Sequence, residues 1–66
     1  MIVKIKFLGQ IKGVELKEGS TISDALKKAG INPETVIVSR MGEIVPESEK
    51  TKEGETIEAI RIVSGG

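Results

Sequence analysis

The sequence has 66 residues, ten basic and ten acidic, with no cysteine and no histidine. A chain this short buries only about 60% of its unfolded surface, so one compact core is all it can build. The missing Cys and His exclude disulfides and Cys/His zinc sites as staples, and they leave every serine without an imidazole base. Lys and Glu interleave without a block of one sign, and Phe7 is the single aromatic. That composition argues against nucleic acid or anionic membrane as the main partner. No stretch approaches the ~20 apolar residues of a membrane span. The opening Met-Ile-Val-Lys-Ile-Lys-Phe lacks the apolar run of a signal peptide, so the expected location is cytoplasmic.

Residues 1–8 alternate, with Met1, Val3, Ile5 and Phe7 on one side and Lys4 and Lys6 on the other, the period of a half-buried strand. Gly9-Gln10 punctuates and Gly13 suggests a bulge. Val14 and Leu16 then alternate with Glu15 and Lys17, which completes an antiparallel hairpin. Thr21-Ile22-Ser23-Asp24 has the form of a capping box. Ile22, Ala25, Leu26 and Ala29 recur at helical spacing, Lys27 and Lys28 fall where cations suit the dipole, and Gly30 is placed to stop the helix. The expected helix covers residues 21–29, with Ile31 returning to Leu26.

Asn32-Pro33 opens a single turn at most. Thr35 to Arg40 reads as a strand whose Val36-Ile37-Val38 run leaves its inward side open. Met41-Gly42 reads as a tight turn, with Gly42 taking the positive φ. Glu43-Ile44-Val45 is a short strand stopped by Pro46, which suits a sheet edge. Glu47 to Glu55 reads as a solvated, charged loop, and Thr56 to Val63 as the last strand.

The resulting order, β-β-α-β-β-β, is an α+β arrangement in which one helix covers the apolar face of a sheet. An N-terminal strand beside a C-terminal strand would let the tail leave from the edge region of that sheet. Residues 1–63 are expected to form the domain and residues 64–66, Ser64-Gly65-Gly66, a flexible tail. Two glycines without Cβ can adopt backbone shapes closed to other residues and can thread a narrow channel. From Ser64 onward the chain spans roughly 10 Å when extended. The reactive group there is the α-carboxylate of Gly66, ionised at neutral pH and a poor electrophile until another protein activates it.

With these pieces in order, the chain resembles the β-grasp, ubiquitin-like family, and more narrowly the prokaryotic sulfur carriers ThiS and MoaD and the archaeal ubiquitin-like modifiers. The resemblance spans the whole length. It rests on the first strand Met1–Phe7, the Gly-Ser-Thr-Ile-x-Asp-Ala-Leu helix start at Gly19–Leu26, and Arg-x-Gly-Glu-Ile-Val-Pro at Arg40–Pro46. Gly-Glu-Thr-Ile-Glu at Gly54–Glu58 and the final Gly65-Gly66 complete it. Met41 departs from it, because Asn often precedes the turn glycine in that family. The length suits ThiS better than the usually longer MoaD.

The resemblance implies a mixed sheet of four to five strands on one main helix. It also implies a carrier that is not itself an enzyme. Gly66 would be adenylated by an E1-like enzyme, which supplies the ATP chemistry, and converted to a thiocarboxylate. Its sulfur would then pass to a synthase that makes a cofactor, with the thiazole of thiamin preferred over molybdopterin or tRNA thiolation. The carrier itself would hold no cofactor and no metal. Gly65 would be the slender neighbour that lets Gly66 enter an active site. The alternative in the same fold is a modifier joined through Gly66 to lysines of target proteins; an interaction domain with an inert tail is the third reading.

In the last strand, Ile57 and Ala59 should face the helix, and Ile60 and Ile62 the outside, with Arg61 and Val63 on the opposite parity. Ile60, Arg61, Ile62, Val63, Ser64 and Gly65 are therefore the expected partner-binding residues. Lys4, Lys6 and Arg40 are candidates for a basic rim, weighed against a solvated sheet face in which Glu15 is the counter-charge.

Overall fold

The structure, a computed structural model, describes residues 1–62. Five strands and one helix follow the expected order: β1 Ile2–Phe7, β2 Gln10–Glu15, α1 Ile22–Lys28, a 3-10 turn Pro33–Thr35, β3 Val36–Arg40, β4 Glu43–Val45 and β5 Thr56–Arg61. Across the sheet the order is β2-β1-β5-β3-β4. β1 and β5 run parallel at its centre, and the remaining neighbours are antiparallel. The expectation that the tail leaves from the edge region is thus corrected, since β5 is the middle strand. The two outer hairpins, β1–β2 and β3–β4, cover its flanks. Short β4, ended by Pro46, is the expected edge.

α1 is built as its sequence demands. Thr21 Oγ1 accepts from the Asp24 N–H at 3.2 Å, and Asp24 Oδ2 accepts from the Thr21 N–H at 3.0 Å. The Thr21 backbone N–H, and then the Thr21 hydroxyl, hold the Asp24 carboxyl below its usual range. At the other end the Ile31 N–H donates to Leu26 O at 2.9 Å and the Gly30 N–H to Lys27 O at 3.1 Å, the Schellman pair, with Gly30 at φ +81°. This closure turns Ile31 back into the core. Ile22, Ala25 and Leu26 are fully buried against Val3 and Ile5 of β1 and Ile57 of β5 within one apolar cluster.

Both hairpins close by two-residue turns in which each central residue has positive φ. Leu8 (+50°) and Gly9 (+75°) join Phe7 to Gln10; Met41 (+50°) and Gly42 (+81°) join Arg40 to Glu43. Such turns match the right-handed twist of the flanking strands. The expected strand end at Leu8 and the bulge at Gly13 are therefore both corrected: Leu8 belongs to the turn, β2 begins at Gln10, and Gly13 pairs in register with Lys4. At Met41 the left-handed backbone costs a side-chain-bearing residue about 1–2 kcal/mol, and its side chain is 95% exposed, so it regains nothing from burial. Met41→Asn is accordingly expected to raise the stability by about 1 kcal/mol, read as a higher urea midpoint with unchanged slope.

The loop from 46 to 55 is more ordered than its composition implies. Its carbonyls take the first helical N–H groups: Ile22 donates to Glu49 O at 2.8 Å and Ser23 to Glu47 O at 2.9 Å. The Thr51 N–H and hydroxyl both donate to Ser20 O, each at 2.8 Å. Arg40 clasps the far end of the loop. Its Nε donates to Glu55 Oε1 at 2.7 Å, and its Nη2 to Glu55 Oε2 at 3.2 Å and to Lys50 O at 2.8 Å. Both side chains are largely covered, at 14% and 12% exposure. Arg40 is therefore a fold clasp and takes no part in the basic rim for which it was a candidate. Glu55 likewise departs from the expected solvated run.

Candidate functional site

The site grows out of β5. Ile57 and Ala59 face the helix and are buried, while Ile60 and Ile62 are exposed, as their alternation requires. β3 aligns antiparallel beside it with Ile37 opposite Ile60, and this settles the open question in the Val36-Ile37-Val38 run. Val36 and Val38 go inward, and Ile37 goes outward with 38% of its surface exposed, beside Ile60 at 46%. Parallel β1 ends with Phe7 opposite Ala59. The Leu8–Gly9 turn, with Leu8 67% exposed, therefore stands at the same end of the sheet. The apolar side chains at this end of the sheet lie on both of its faces, Ile37 and Ile60 outside, and Phe7 and Leu8 with Ile31 lining a groove on the helix side.

The departure point of the chain is fixed. The Ile62 N–H donates to Thr35 O at 2.9 Å. Thr35 is held in turn by its hydroxyl, which donates to Asn32 O at 2.8 Å, while Asn32 Oδ1 accepts from the Glu34 N–H at 3.0 Å. The 3-10 turn thus sets where β5 releases the chain. Arg61, whose Cα pairs with Val36, is exposed. Of the expected partner-binding residues, Ile60, Arg61 and Ile62 come together here. Val63, Ser64, Gly65 and Gly66 lie outside the described residues.

The next row across the outer face reads Ile11, Lys6, Glu58, Ser39 and Ile44. Lys6 is aligned with Glu58 of β5, so Glu58 rather than the expected Glu15 is its neighbouring charge. Lys4 is flanked by Gly13 and Thr56. Lys4 and Lys6 therefore form no basic rim with Arg40. The centre of this row carries one cation and one anion, with exposed Ile11 and Ile44 at its two ends, whereas the row toward the end of β5 sets Ile37 beside Ile60 without a charge between them. Leu8, Ile37 and Ile44 were not singled out from the sequence. Ile37 was hidden in an unbroken apolar run, and Leu8 looked like the tail of a strand.

The comparisons agree with this architecture. The sequence profile of the ThiS family matches residues 5–66. The chain belongs to the ThiS family. It is 41% identical to an uncharacterized protein of Archaeoglobus fulgidus over the full length of both chains. It is 34% identical to the sulfur carrier protein TtuB of Thermus thermophilus, over 89% of this chain and 91% of that one. Its fold superposes on the crystal structure of SAMP1 from Haloferax volcanii with a TM-score of 0.78, covering all of both chains at 21% identity. The mixed five-stranded sheet with one helix is thus the β-grasp, ubiquitin-like fold, and members of the ThiS family are small carrier proteins rather than catalysts. Among the described residues, no helix is long and apolar enough to cross a membrane.

Proposed function

We propose that this ThiS-family protein carries sulfur on the carboxyl group of Gly66. An E1-like enzyme transfers AMP from ATP to that carboxylate, with release of pyrophosphate. Sulfide then attacks the acyl carbon, the bond to AMP breaks, and a thiocarboxylate remains. An acceptor synthase takes the sulfur, and the thiazole of thiamin is the acceptor we favour on chain length. The protein supplies no catalytic side chain and binds no cofactor of its own in this scheme; it positions one carboxylate.

The observation that carries the reading is the placement of the β5 end. The central strand of the sheet releases the chain at Ile62, pinned to Thr35, beside the exposed Ile37–Ile60 pair. The family match continues from there through residue 66. A rigid exit next to an apolar contact surface lets a partner hold the domain while the last residues reach its active site. The SAMP1 likeness bears on the fold alone, so conjugation to lysines stands second.

The reading is tested by incubating the protein with ATP, sulfide and the activating enzyme from the same cell. The expected product has one oxygen of Gly66 replaced by sulfur; an unchanged terminus, with the enzyme active on another carrier, contradicts it. The Ile37→Thr/Ile60→Thr double variant keeps β-branching at both positions. It should raise the KM for the carrier by about 30-fold with kcat unchanged, since each of the two truncated contacts is worth about 1 kcal/mol.

A further inference from the structure

Behind the outer face, on the helix side of the β5 end, two grooves meet. One has a volume of about 570 Å³ and is bounded by Phe7, Ile31 and Ile62, with Asn32, Thr35 and Arg61 at its rim. The other, of about 260 Å³, is lined by Ile5 and Leu8 with Gln10 and Lys12, and it shares Phe7 and Ile31 with the first. Phe7 and Ile31 therefore form a common ridge between them. Ile31 is placed there by the Schellman closure of α1. Phe7, the only aromatic of the chain, is only partly covered although it packs on the core.

The charges around this ridge have one sign. Arg61 belongs to the larger groove and Lys12 to the smaller, and among the described residues no carboxylate lines either one. Lys12 Nζ reaches Ala29 O at 3.5 Å, at the negative end of α1, which keeps the ammonium beside the ridge. An aliphatic and aromatic floor between two cations does not suit a free phosphate, which would leave the floor wet. It suits an apolar side chain with acidic neighbours.

We propose that the two grooves form one docking surface for an extended acidic protein segment. An apolar side chain of the partner rests on Phe7 and Ile31, and flanking carboxylates pair with Arg61 and Lys12. The surface adjoins the point where β5 releases the chain, but on the opposite side from the Ile37–Ile60 row. A partner seated there would leave the outer face free for another protein. The proposal does not depend on the sulfur chemistry of Gly66, and its test does not use it.

The test is an amide NMR titration of the full chain with the capped peptide acetyl-Asp-Leu-Glu-Leu-Asp-amide. The same peptide with lysine at its three acidic positions, and inorganic phosphate, serve as comparisons. The acidic peptide is expected to shift the amides of Phe7, Ile31, Asn32 and Thr35, and the lysine peptide to leave them in place. The Arg61→Glu/Lys12→Glu double variant should weaken the acidic peptide by about tenfold, the loss of two partly exposed ion pairs. An unchanged urea midpoint for that variant shows that the fold is kept. Shifts confined to Ile37 and Ile60, equal shifts with phosphate alone, no shift at millimolar peptide, or an unaltered affinity in the double variant would each overturn the proposal.

Discussion

A variant with one residue added after Gly66 is expected to lose sulfur loading to background while unfolding at the same urea concentration as the parent. The reacting group in the proposed function is a single carboxylate, and adding a residue turns it into an amide carbonyl. The new carboxylate lies about 3.3–3.6 Å farther along the chain. A displacement of even 1 Å from a productive geometry can cost about 100-fold in rate. Any residue other than glycine also brings a Cβ into a channel that Gly65 and Gly66 are suited to thread. Stability should not follow, because the residue is added in sequence beyond the apolar cluster that Val3 to Ala59 build among the described residues. The two readouts are therefore separable. Sulfur transfer retained at the parent rate in the extended variant would sink the carrier reading, whereas a lowered urea midpoint would show that the terminus contributes to the fold.

Leu26→Ala is expected to destabilise the protein by about 2–5 kcal/mol, the usual range for removing a buried Leu and leaving a cavity. Leu26 is fully buried, and so are Ile5, Ile22 and Ile57 in the same cluster. Its carbonyl also accepts the Ile31 N–H that closes the helix. A small domain has about 5 kcal/mol of net stability, so the variant should be partly unfolded at 37 °C and show a sharply lower urea midpoint. Leu8→Ala is the matched control. The side chain it removes is mostly in water, so the change should stay within about 0.5 kcal/mol. Equal midpoints for Leu26→Ala and the parent would mean that the helix does not bury the face its spacing indicates.

The elements that could be read from sequence were those where several local signals agree. Around α1, the capping box at Thr21–Asp24, the Ile22-Ala25-Leu26-Ala29 stripe and the Gly30 stop each point the same way, and all three are realised. β1 from Val3 and β5 from Thr56 to Ala59 alternate, so the outward side of Ile60 was expected by extending that parity. Information that depends on pairing was not local. Which side of β3 faces inward was settled by its register with β5, and the central place of β5 by its parallel contact with β1. Arg40 looked like a surface cation because nothing in the sequence tells that Glu55, fifteen residues on, folds back to meet it. Leu8 was misjudged for a different reason, whereas the Met41-Gly42 turn was legible from its glycine. Residues with large side chains rarely take positive φ, yet the strand twist requires it of both turns. For the site, the sequence indicated Ile60, Arg61 and Ile62, and the fold supplied Ile37, Leu8 and the Phe7–Ile31 ridge.

The most direct test of the central claim is the intact mass of the protein isolated from its own cell, with sequencing of its C-terminal peptide. The account predicts a fraction in which one oxygen of the Gly66 carboxyl group is replaced by sulfur, enriched when the acceptor synthase is removed. A terminus that is carboxylate alone in that strain, with Gly66 instead found joined to lysines of other proteins, would contradict it and put the modifier reading first.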